Sequence, residues 1–144
     1  MILHHISLNC RDPIAIERFY TKHFGFRRTR VIDLPDGRQI VFLKGNNNVY
    51  LELFLAQGEQ PASPDTNSEG LLYPGVRNIS FMVDNVDAQL AVMGDAARIT
   101  FGPLDFSDFI PGWCSVWLAD PEDNIVQVTQ GFVDQENPPP LPLE

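Results

Sequence analysis

Strand, helix and three strands follow one another in residues 2–55, and the same order returns in residues 76–130. A duplicated unit restricts the chain to folds made of two equivalent halves. In the first copy, polar His5, Ser7 and Asn9 alternate with apolar Ile6, Leu8 and Cys10, the signature of a strand with one apolar face. Asp12-Pro13 reads as an N-cap followed by a first-turn proline. Ile16, Phe19, Tyr20 and Phe24 then recur at helical spacing, and Gly25 stops the helix. Strands are expected at 26–34, 38–44 and 49–55, separated by Pro35-Asp36-Gly37 and by Gly45-Asn46-Asn47-Asn48. In the second copy, Asn78, Ser80 and Met82 alternate with Ile79, Phe81 and Val83. A helix capped by Asp84 or Asn85 carries Val86, Leu90 and Met93 and ends at Gly94. Strands at 97–101, 113–119 and 124–130 complete the unit, with 102–113 as an interrupting loop. Residues 56–75 are polar and aperiodic and read as a linker. The proline-rich stretch 131–144 reads as an extended, mobile tail. The pattern gives an α+β class with two βαβββ repeats, units 1–55 and 76–130, within one domain spanning 1–130.

Composition narrows the function. A formal net charge of −9 with no basic run excludes nucleic acid and anionic lipid as partners. No apolar run is long enough to span a bilayer. The N-terminus lacks the basic and apolar segments of a signal peptide, and Cys10 and Cys114 make no disulfide framework; both read as small buried hydrophobes in a cytoplasmic protein. Phosphate-binding glycine loops, serine elbows and paired-cysteine zinc motifs are absent.

Four segments carry a resemblance. These are His5-Ile6-Ser7-Leu8 with Asp12, Phe19-Tyr20 and Phe24-Gly25-Phe26; Tyr50-Leu51-Glu52-Leu53; Asn78 to Asp87; and Asp120-Pro121-Glu122-Asp123-Asn124 running into Ile125-Val126-Gln127. In this order and spacing they resemble the vicinal oxygen chelate superfamily of glyoxalases, bleomycin-resistance proteins and extradiol dioxygenases. The resemblance implies a cupped, mixed eight-stranded sheet with helices behind it, and a homodimer as the usual assembly. It also implies a divalent metal held by two ligands per unit, which fall here on His5, Glu52, Asn78 and Gln127. One repeat interval relates both pairs: 73 residues separate His5 from Asn78, and 75 separate Glu52 from Gln127. Members with a working metal centre usually carry a histidine at the Asn78 position and a glutamate at the Gln127 position.

The departure changes the chemistry. Histidine nitrogen and carboxylate oxygen are strong donors for a divalent ion, and neutral amides are weak ones. Any such ion would rest on His5, Glu52 and Gln127, with much reduced affinity. The expectation is therefore a small-molecule binding protein of the bleomycin-resistance kind with a degenerate metal site. The alternatives are a metal-dependent lyase, isomerase or epimerase using His5 and Glu52, or a metal-independent enzyme in which Glu52 takes a proton from carbon next to a carbonyl. His5, Ser7, Glu52, Asn78, Ser80 and Gln127 form the expected ligand-binding floor, with Phe109 and Trp113 of the 102–113 loop as aromatic walls. A polar strand face above an apolar one needs water or a ligand to meet it. Strand alternation turns His4 to the face opposite His5.

Overall fold

Alternating apolar positions drive each unit to lay its sheet over its own helix. The structure, a computed structural model, describes residues 3–59, 69–70 and 74–140; part of the 56–75 linker and the last four residues of the tail lie outside the described residues. The first unit comprises β1 (His5–Cys10), α1 (Pro13–Phe24), β2 (Arg27–Asp33), β3 (Gln39–Lys44) and β4 (Tyr50–Leu55). The second comprises β5 (Ile79–Met82), α2 (Val86–Met93), a 3-10 turn at Gly94–Ala96, β6 (Arg98–Asp105), β7 (Cys114–Ala119) and β8 (Ile125–Gln130). The α+β class and the duplicated order are as the sequence implies.

The eight strands form two four-stranded mixed sheets of identical order, β1-β4-β3-β2 and β5-β8-β7-β6. In each, the first strand runs parallel to the last strand of its unit and the other neighbours are antiparallel. The eight strands expected from the repeat are thus present as two four-stranded sheets rather than one continuous eight-stranded sheet. β1, β2, β5 and β6 are edges.

Local signals fix the helix ends. Asp12 Oδ1 accepts from Ile14 N–H at 3.1 Å and Ala15 N–H at 3.0 Å, while Gly25 takes the left-handed conformation (φ 69°) and donates its N–H to Tyr20. Asn85 caps α2 through Ala88 N–H at 2.7 Å. One sequence expectation is corrected. β6 continues through Gly102, Pro103 and Leu104 to Asp105, where a loop was expected. Pro103 lacks an N–H, but an edge strand has a side on which none is needed, and shifts of register on either side of Phe101 absorb the misfit.

The apolar faces of both sheets join one core. Val41, Leu43, Leu51 and Leu53 from the first unit and Val116, Leu118, Val126 and Val128 from the second belong to one buried cluster with Ile16, Phe19 and Tyr20 of α1. Phe81 of β5 knits the units together, its ring 4.5 Å from that of Phe24 and 5.9 Å from that of Phe26. A polar clasp reinforces this seam. Buried Asp120 accepts hydrogen bonds from Tyr20 Oη at 3.0 Å, from the backbone of Glu122 and Asn124, and from Asn124 Nδ2, each of these at 2.9 Å. Glu122 in turn accepts from Arg11 Nε at 2.8 Å and Asp12 N–H at 2.6 Å.

Candidate functional site

With one face of each sheet committed to the core, the other face is left open, and register decides what it displays. Ser7 lies beside Glu52 across β1 and β4; Ser80 lies beside Gln127 across β5 and β8. The two pairs are repeat-equivalent, so the duplicated spacing seen in the sequence is a real structural correspondence.

In the first sheet, Ser7 Oγ donates to Glu52 Oε2 at 2.6 Å, and His5 Nε2 stands 3.4 Å from the same oxygen. The Glu52 side chain is only 14% exposed. A serine and a histidine therefore hold one sheltered carboxylate in a fixed direction. His4 departs from the alternation expected of it. Although its carbonyl accepts from Tyr50 N–H at 2.8 Å just ahead of β1, its Nδ1 lies 2.9 Å from His5 Nδ1, and its ring stacks on Tyr50 at 4.7 Å. Beside this group opens a hollow of about 380 Å³ lined by His4, Thr29, Arg30, Phe42 and Tyr50.

The second sheet has its own hollow, of about 350 Å³, lined by Ser80, Met82, Trp113, Gln127, Thr129 and Phe132. Trp113 is held as a wall. Its Nε1 donates to Thr129 Oγ1 at 3.0 Å, Phe106 packs on its ring at 4.7 Å, and Ser115 Oγ shares a 2.7 Å hydrogen bond with the same threonine hydroxyl.

Of the expected binding residues, His5, Ser7 and Glu52 come together in one group, and Ser80, Gln127 and Trp113 in another. Half-buried Asn78 sits just before β5, two residues ahead of Ser80. Phe109 is 78% exposed on the turn after β6 and lines neither hollow. The hollows share no lining residue. Among the described residues no hydrogen bond or ion pair joins His5 or Glu52 to Asn78 or Gln127. Sequence reasoning missed Thr29, Arg30, Phe42 and Phe132. Phe42 and Arg30 are cross-strand neighbours of Glu52 through β3 and β2, so the register of the hairpin around Asp36-Gly37 was the signal that places them.

The fold family implies a divalent metal held by two residues of each unit. Among the described residues no three His, Cys, Asp or Glu side chains gather where they could hold an ion. His5 and Glu52, with His4 Nδ1 turned to His5 Nδ1, are the strong donors on the first sheet, and the repeat-equivalent positions on the second supply only amides. These residues do not fit a resident divalent metal.

Cys10 is buried in the core, and Cys114, expected to be buried too, is only partly so and packs against it. Burial, then the nearby charges of Glu122, Asp120 and Asp12, push the Cys10 thiol up to about 12; burial also raises that of Cys114. Neither is poised as a nucleophile.

Comparison with known proteins agrees with this architecture. Residues 2–103 match the family model described as Glyoxalase/Bleomycin resistance protein/Dioxygenase superfamily. Similar solved structures include a glyoxalase family protein from Enterococcus faecalis, with 24% identity, TM-score 0.67 and coverage of 89% of this chain and 96% of that one. A lactoylglutathione lyase from Agrobacterium tumefaciens is 25% identical, with TM-score 0.58 and coverage of 91% and 93%. A genomically encoded fosfomycin resistance protein from Listeria monocytogenes shares 13% identity, with TM-score 0.65 and coverage of 92% and 95%. No curated protein matches the sequence. Two in-register βαβββ units, the open polar faces they share and a family match over most of the chain lead to one assignment: the chain belongs to the Glyoxalase/Bleomycin resistance protein/Dioxygenase superfamily.

Proposed function

We propose that this chain is a small-molecule binding protein of the glyoxalase/bleomycin-resistance type, with a degenerate metal centre and a site completed by a second copy of the chain. The observation that carries the reading is the pairing of equivalent half-sites, Ser7–Glu52 with the first hollow and Ser80–Gln127 with the second. Each hollow is open on one side and too shallow alone to bury a drug-sized ligand on all faces. A homodimer that sets the first half-site of one copy against the second half-site of the other supplies the missing wall. Among the described residues β1 and β5 are edge strands of their sheets, which gives such a dimer a place to form.

A second reading is favoured by the fixed Glu52 carboxylate. Held by Ser7 and next to His5, it is oriented to accept a proton from carbon beside a ligand carbonyl, with His5 in reach to pass it on. Proton-transfer activity unchanged by Glu52→Gln would eliminate this role and leave binding alone.

Elemental analysis of protein purified without chelator, followed by thermal shift with Ni, Zn, Co, Mn and Fe(II), tests the main reading. Substoichiometric metal and no shift that depends on His5 are expected. Stoichiometric metal, or a metal-induced shift abolished by His5→Ala, would overturn the degenerate centre.

A further inference from the structure

The open face of the first sheet has a charge pattern at odds with the rest of the molecule. Five of the ten lysines and arginines (Arg27, Arg28, Arg30, Arg38 and Lys44) lie within residues 27–44, where Asp33 and Asp36 are the only acidic residues, in a chain whose formal net charge is −9. Arg28 is engaged by Glu17 and Arg38 by Asp36. Among the described residues, Arg27, Arg30 and Lys44 have no carboxylate partner.

Register shows where these free cations stand. One row across the sheet reads Ser7, Glu52, Phe42, Arg30, and the row beside it reads His5, Tyr50, Lys44, Arg27. Both rows run from the Glu52 group at one end to positive charge at the other. Arg30 lines the 380 Å³ hollow with His4 and Thr29, and Phe42 and Tyr50 supply its aromatic faces. Lys44 Nζ lies 5.5 Å from the centroid of the Tyr50 ring, and His4 stacks on that ring.

Resting on the small-molecule reading above, we propose that the ligand of this site is a planar organic anion, its oxyanion held by Arg30 and its ring laid against Phe42 and Tyr50. A guanidinium is the side chain best shaped for a carboxylate or phosphonate, since its fork of donors meets two oxygens at once. The aromatic faces select a flat body. The long-range field discriminates further: a strongly acidic molecule repels a polyanion but admits a small anion to a locally positive hollow. The other half-site, with Met82, Trp113 and Phe132 around one amide, offers an apolar bed for the remainder of the ligand.

The test is an NMR titration of the 15N-labelled full chain with 2-naphthoate, phenylphosphonate and the neutral isostere 2-naphthamide. Arg30→Gln is compared with Arg18→Gln, which removes the same charge from an exposed position on α1. Naphthoate is expected to bind at least about tenfold more tightly than naphthamide, with shifts centred on Arg30 and Tyr50. Arg30→Gln should remove that preference while leaving naphthamide binding within about twofold, and Arg18→Gln should preserve it. Stronger binding of phenylphosphonate relative to its size would identify the phosphonate as the preferred head group. Equal binding of acid and amide, or equal effects of the two substitutions, would overturn the anion assignment and leave the binding site standing. Absence of binding by all three probes would overturn both.

Discussion

At the scale of single residues, the most consequential side chain outside the open faces is Asp120. It receives four hydrogen bonds while fully buried, so its carboxylate is well solvated by the protein but remote from water. Burial wins: it raises the Asp120 carboxyl above the usual aspartate range, against the opposing pull of Asn124, Glu122 and Tyr20. The folded chain therefore holds this proton to higher pH than the unfolded chain does. Asp120 stabilises most where both states are protonated, and its contribution declines as pH rises from the unfolded to the folded value. Urea midpoints across about pH 4 to 7 should lose this component in Asp120→Asn, as seen in the difference from the parent chain. Asp120→Ala strands the Tyr20 hydroxyl and the Asn124 donors and should cost about 2–4 kcal/mol, against about 1 kcal/mol for Tyr20→Phe. Urea denaturation measures both, and equal costs would refute the hub role. Cys10 gives a chemical check on the same seam. With its thiol pushed up to about 12, on the order of one molecule in ten thousand carries a thiolate near pH 8. Mass spectrometry after iodoacetamide treatment should find Cys10 unmodified in the native chain and modified in urea.

At the scale of elements, α1 illustrates a competition that sequence cannot settle. His23 lies in its last turn, where the helix dipole favours a positive charge, yet burial lowers its pKa, with Lys22 adding to the effect. A folded-state value below the unfolded one means that stability is present above about pH 6.5 and drains away as pH falls through the folded value. His23→Phe keeps the ring against Phe19, 5.4 Å away in the native chain, and should flatten stability on the acid side of neutrality. Thermal melts at about pH 5 and 7 check this; an unchanged difference between them would exclude His23 as its source. Elements were legible where the determinant is local. Asp12 and Gly25 mark the ends of α1, and the 73- and 75-residue intervals mark strands that prove equivalent in register. β6 was misread because Pro103 breaks a central strand but not an edge, and edge position depends on the whole sheet. Arg30 and Phe42 escaped notice for a related reason. Their place beside Glu52 follows from hairpin pairing across 10 to 22 residues rather than from any motif.

At the scale of the whole molecule, the decisive fact is that Phe81, Tyr20 and Asp120 dock the units through their core-side faces, which leaves the Ser7–Glu52 and Ser80–Gln127 pairs on separate sheets. His5 and Glu52 stand on the first sheet and Gln127 on the second, positions that sequence spacing treats as one floor. A dimer with exchanged half-sites makes a sharp prediction, because it lets complementary defects cancel. In a homodimer of Glu52→Gln, or of Gln127→Ala, each of the two sites carries one damaged half. When the two variants are mixed and allowed to exchange subunits, each heterodimer has one site with both halves damaged and one with both halves native. Random exchange yields about half heterodimers, so about a quarter of the wild-type binding capacity should return on mixing. A site closed within one chain would regain nothing, since every chain in the mixture keeps its own lesion. Ligand titration of the mixture before and after exchange, with light scattering to confirm the dimer, separates the two arrangements: recovered capacity requires that a native His5–Glu52 group and a native Ser80–Gln127 group from different chains share one ligand.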